Sequence, residues 1–62
     1  MENKLKEKRK AENLTQKQVA DKLGIAESAY QKYEYGMHPS VIMGIKIAQI
    51  LNATVEELWN TP

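Results

Sequence analysis

Residues 16–35, QKQVADKLGIAESAYQKYEY, decide the fold. Thr15 stands just before the stretch and Gln18 three residues on. That is the spacing at which a threonine side chain caps a helix while a glutamine reaches back to the cap amide. The pattern predicts a helix over about 16–23 with Val19, Ala20 and Leu23 turned inward. Gly24 follows at once, and glycine takes the left-handed backbone that ends a helix. Ile25 is expected to be the buried residue of the turn. A further helix over about 27–35 then points Tyr30 and Tyr33 inward and Glu27, Ser28, Gln31 and Lys32 outward, with Gly36 closing it.

Two short helices joined at a wide angle through a glycine form a helix-turn-helix unit, and its demands are steric. Ala20 is expected to be small because the second helix crosses close to it. Gly24 is expected to avoid a side-chain clash at positive φ. Ile25, Tyr30 and Tyr33 must be apolar enough to hold the block rigid.

The flanks are helical too. Residues about 3–12 form a charged first helix, with Leu5 and the aliphatic part of Arg9 four residues apart on one face. Asn13 is its stop, and Leu14 packs across the break. Pro39 disfavours helical geometry at His38, so Met37-His38-Pro39 is a short loop. Ser40 caps a helix over about 41–51, whose spacing gathers Val41, Gly44, Ile45, Ala48 and Leu51 on one expected core face. Asn52 and Ala53 break it. Thr54 to Glu57 repeats the capping box and opens a short last helix with Val55, Leu58 and Trp59 inward. No linker or repeat interrupts the series, so residues 1–62 are expected to form a single all-α, five-helix domain.

Composition narrows the function. The chain has 62 residues, no cysteine and one histidine, which excludes a disulfide framework and a thiolate metal site. No apolar run approaches the roughly 20 residues of a membrane span, and the N-terminus is charged rather than signal-like, so a cytoplasmic protein is expected. An enzyme is not expected: there is no glycine-rich phosphate loop, and a domain this small has little room for a concave site. No cofactor and no small-molecule ligand are expected either. Residues 1–32 hold eight of the nine basic side chains against five of the eight acids, a balance of +3. The remainder carries −2. A basic half suits a polyanion, although a solvated helix surface has the same look.

The order and spacing of Leu14-Thr15-Gln16, Val19-Ala20, Leu23-Gly24-Ile25, Tyr33-Glu34 with Gly36, Pro39-Ser40, Lys46-Ile47-Ala48 and Val55 to Trp59 carry a wider likeness. Over residues 3–59 the chain resembles the lambda-repressor-like (Cro and repressor, or Xre-type) helix-turn-helix family. The resemblance implies a recognition helix at about 27–35 lying in the major groove of double-stranded DNA. It implies that Glu27, Ser28 and Lys32 read bases, with Gln31 a neighbouring candidate. The side-chain chemistry agrees in part: Lys32 can donate to guanine, Ser28 can donate or accept, and Glu27 can only accept. Gln16 matches a phosphate-binding position, and its place at a helix N-terminus gives an independent physical reason. Ser40 opens a second candidate phosphate clamp, Lys17 and Arg9 are further expected phosphate contacts, and Lys6, Lys10 and Lys17 add non-specific attraction. The resemblance also implies a partly buried Arg9–Glu34 salt bridge joining the first helix to the recognition helix.

Four departures matter. Ala26 stands where a serine or threonine usually caps the recognition helix, at a cost of about 1 kcal/mol. Tyr30 and Tyr33 fill positions that are usually aliphatic, and Gly44 is expected to make room for them. The loop at 37–39 lacks a basic phosphate contact. Met43, Ile47 and Ile50 form a second apolar stripe, expected with Trp59 and the C-terminus to build a homodimer interface. The expected function is a DNA-binding transcriptional repressor acting as a dimer on a palindromic operator, in a prokaryotic, phage or mobile-element setting. The alternative is a protein-interaction module of antirepressor or antitoxin type on the same fold.

Overall fold

A computed structural model describes residues 3–59. These form five helices and no strand: α1 Leu5–Ala11, α2 Gln16–Leu23, α3 Glu27–Glu34, α4 Val41–Ile50 and α5 Val55–Trp59. The architecture is the lambda-repressor-like all-α fold. None of the described helices is long and apolar enough to cross a membrane.

Local chemistry sets most of the boundaries. Asn3 Oδ1 accepts from the Leu5 amide at 3.0 Å and starts α1. Asn13 adopts φ 58° beyond its end, a left-handed conformation that asparagine tolerates. Both capping boxes form. The Gln18 amide donates to Thr15 Oγ1 at 3.0 Å and the Thr15 amide to Gln18 Oε1 at 2.8 Å. Thr54 and Glu57 repeat the exchange at 3.0 and 2.8 Å. Gly24 ends α2 at φ 74°, and the Ile25 amide turns back to the Ala20 carbonyl at 3.0 Å. A Cβ at Gly24 would meet nothing within 4 Å, so the expected clash is absent. What requires glycine is the backbone conformation itself, which strains any L side chain.

The core comprises Leu5, Val19, Ala20, Tyr30, Ile47, Ala48, Leu51 and Leu58. Tyr30 is the largest wholly buried side chain, while Tyr33, Leu14, Leu23 and Ile25 pack around the rim. Helix α4 is rotated from its expected setting. Val41 is 79% exposed and Ile45 45%, whereas Ile47 is fully buried. The Trp59 ring packs 3.6 Å from where a Gly44 Cβ would stand, with Pro39 beside it. Gly44 therefore makes room for Trp59 and not for the tyrosines. Val55, expected inside, is exposed.

Two bonds tie the start of the described chain to α3 and α5. Asn3 Nδ2 donates to the Tyr33 carbonyl at 2.9 Å, and the Lys4 amide donates to the Leu58 carbonyl at 2.9 Å. Helix α3 is thus held at its C-terminal end by α1 and along its rear face by α2. Residues 3–59 have a Cα radius of gyration of 10.2 Å, the value of about 10.2 Å expected of a compact domain of that size.

Candidate nucleic-acid interface

Helix α3 presents two different faces. Its rear places Tyr30 in the core and Glu34 against Arg9, and its front leaves Glu27, Ser28 and Lys32 exposed to solvent. Ala26 precedes it in extended conformation and supplies no side-chain cap. Glu27 opens the helix, and its charge suits the helix dipole at that end. Gln31 is half-buried, not fully outward as expected.

Behind this face runs a polar network. Arg9 Nε donates to Glu34 Oε2 at 2.6 Å, Nη2 donates to Oε1 at 3.4 Å, and Nη1 donates to the Leu14 carbonyl at 2.9 Å. Gln16 Nε2 donates to Glu34 Oε1 at 3.0 Å, and Gln31 Nε2 donates to Gln16 Oε1 at 3.0 Å. Burial opposes ionisation of Glu34, but the bonds from Arg9 and Gln16 outweigh it and hold its carboxyl below the usual carboxylate range. The Tyr30 hydroxyl sits buried beside the pair without a hydrogen-bond partner. Burial first, then the neighbouring carboxylate, drives its pKa well upward.

This network corrects one expected phosphate contact. Arg9 is 8% exposed and every nitrogen of its guanidinium is engaged, so it is a bracing residue and is not available to a phosphate. Gln16 stands at the α2 N-terminus as expected, but its side chain bridges Glu34 and Gln31. With the Gln18 amide committed to Thr15 Oγ1, the donors that end of α2 keeps for an anion are the Gln16 and Lys17 backbone amides. Lys17 makes a solvated pair with Asp21 at 3.6 Å. Ser40 Oγ accepts from the Met43 amide at 3.2 Å and caps α4, leaving its hydroxyl hydrogen free. Lys6 and Lys10 are exposed on α1.

The expected dimer stripe is also corrected. Ile47 belongs to the core, and Met43, Ile50 and Trp59 are half-buried against it. Residues 60–62, which that interface also drew on, lie outside the described ones. The exposed apolar residues of α4 are instead Val41, Ile42 and Ile45, of which Val41 and Ile45 line, with Val55, a shallow groove over Gly44 and Trp59. Sequence reading also missed Tyr35, 81% exposed directly after α3. The third tyrosine of the Tyr-x-x-Tyr-x-Tyr spacing falls off the inward face, which was the available signal.

Comparison with known proteins agrees with this architecture. The helix-turn-helix family pattern matches residues 5–58. The chain is 41% identical over 65 residues to the cryptic phage CTXphi transcriptional repressor RstR of Vibrio cholerae, covering 98% of this chain and 58% of that protein. It is 37% identical to an uncharacterized helix-turn-helix-type transcriptional regulator of Methanocaldococcus jannaschii, over 95% of this chain and 91% of the relative. A third relative, the uncharacterized regulator YqaE of Bacillus subtilis, is 44% identical over 87% of this chain and 47% of its own length. The chain thus spans about half the length of two of these relatives and nearly all of the other. It belongs to the helix-turn-helix family, and these three relatives are named as transcriptional regulators.

Proposed function

We propose that this chain is a sequence-specific DNA-binding transcriptional regulator that represses by occupying a palindromic operator as a homodimer. The observation that carries the reading is the two-faced α3, locked from behind by Tyr30 and Glu34 while Glu27, Ser28 and Lys32 stand free. The Gln16 and Lys17 amides at the start of α2 and the Ser40 hydroxyl at α4 would grip the backbone on either side of a groove-bound α3. Family membership and a relative named as a phage transcriptional repressor support this reading. That relative also favours a prokaryotic, phage-like setting in the cytoplasm.

The second copy would dock through the surface that α4 leaves bare: Val41, Ile42 and Ile45 with Val55. A small domain seldom exposes so continuous an apolar stripe without a partner for it. Two bodies of 30 × 21 × 19 Å side by side can set their recognition helices about 34 Å apart, one turn of the duplex. A protein-interaction role is the competing reading, favoured by the uncapped Ala26 and by a 37–39 loop without basic residues.

Selection of bound duplexes from a random pool decides between them. The repressor reading expects an enriched inverted repeat with half-sites one helical turn apart. Recovery of no enriched sequence, with no anisotropy change on random duplex even at low salt, would favour the partner-binding role.

A further inference from the structure

We propose that His38 makes the homodimer sensitive to acid: protonation of this side chain parts the two copies and so releases the operator. The inference rests on the dimer reading above. His38, the chain's single histidine, is exposed in the loop before α4 and lines the groove that Val41, Ile45 and Val55 form over Gly44 and Trp59. The other described residues of that lining carry no charge, and all but Ser40 are apolar. A two-fold axis lays a surface against its own image. An uncharged face therefore suits a second copy and offers nothing to select a partner of opposite charge.

Histidine is the side chain whose ordinary titration falls between about pH 5 and 8. As a neutral imidazole, His38 can be covered by the second copy at small cost. As an imidazolium it carries charge out of water into an apolar contact, and the two-fold axis places two such charges in one interface. No acid among the described residues lines the groove to offset them, and among those residues His38 enters no ion pair. The charged and titratable side chains that flank the groove are Tyr35 after α3, Lys46 beside Ile45 on α4 and Glu56 beside Val55 on α5. All three are exposed, and none belongs to the lining. Glu34, at the end of α3, is committed to Arg9 and Gln16. The dimer therefore binds fewer protons than two monomers, and its dissociation constant rises as pH falls through the histidine range.

The test is analytical ultracentrifugation of the full chain without DNA at about pH 8 and about pH 5.5, for wild type, His38→Gln and His38→Arg. Circular dichroism checks that each protein is folded at both values. A factor of about ten for each covered imidazole raises the wild-type dissociation constant roughly 10- to 100-fold at the lower pH. His38→Gln should dimerise equally at both values, and His38→Arg weakly at both. Acid should also weaken wild-type binding to the inverted repeat while leaving binding to a single half-site duplex no weaker. A His38→Gln dimer that weakens on acidification as the wild type does, or a wild-type dimer that holds or tightens, would overturn the proposal while leaving the dimer reading intact. A wild-type chain that is monomeric at both values across all concentrations would instead remove the dimer reading, and the acid sensitivity with it.

Discussion

Replacing Glu34 by alanine strands a guanidinium. Arg9 has a 10% exposed side chain, and after the substitution it keeps only the Leu14 carbonyl at 2.9 Å. Breaking a fully buried pair costs about 3–5 kcal/mol, and the half-exposed neighbourhood of Gln16 and Gln31 lets water in and lowers this to about 2–3. The substitution also removes the acceptor of Gln16. A domain of this size has a total stability of roughly 3–9 kcal/mol, so the loss is a large share of it. At about 4–8 °C per kcal/mol, the melting temperature at pH 7 should fall by roughly 8–24 °C. Glu27→Ala, on the exposed front of the same helix, should stay within about 0.5 kcal/mol of wild type.

The pH dependence carries a sign. The folded state holds Glu34 below its ordinary carboxylate pKa, so its contribution is complete above that ordinary value and fades as pH falls through the folded one. Glu34→Ala should therefore show a smaller loss of stability on acidification than wild type. The assay is thermal denaturation followed by circular dichroism over a pH series from neutral to acid. Melting temperatures of Glu34→Ala and Glu27→Ala equal within 2 °C, on the order of 0.3–0.5 kcal/mol, would refute the bracing role of the pair.

Gly24→Ala should cost about 1–2 kcal/mol and Gly24→Asn distinctly less, since the site has room for a Cβ and only φ 74° resists it. Equal costs in chemical denaturation would show that something other than backbone conformation selects glycine there. Ala26→Ser should add about 1 kcal/mol by capping α3, seen as a melting temperature raised by roughly 4–8 °C. An unchanged transition would mean the α3 amides already have partners. Ile45→Glu should abolish dimers in analytical ultracentrifugation with little change in melting, whereas Ile47→Ala should destabilise the fold by about 2–5 kcal/mol. Persistence of dimers in Ile45→Glu would move the interface elsewhere.

The helix-turn-helix was legible because its signals are local. Thr15 and Gln18 fix the start of α2, Gly24 fixes its end, and the tyrosine spacing fixes the inward face of α3. Helix α4 was legible in extent but not in rotation. Residues 41–50, VIMGIKIAQI, are apolar on almost every side, and Ile45 and Ile47, about 200° apart, are equally good core residues by pattern. The structure buries Ile47 and leaves Ile45 beside Trp59 and Gly44, a tertiary arrangement no local spacing encodes. Arg9 drew two expectations, phosphate contact and bracing, and its burial four residues from Leu5 selects the second. The link between Gln16 and Gln31 joins two neutral amides fifteen residues apart, and neither composition nor periodicity marks such a pair.

The most direct trial of the account is titration of isotopically labelled protein with the selected duplex, following each backbone amide by NMR. The largest perturbations are expected at Glu27, Ser28 and Lys32, with a second group at the starts of α2 and α4. A response centred on Val41, Ile45 and Val55, leaving the front of α3 unmoved, would contradict it.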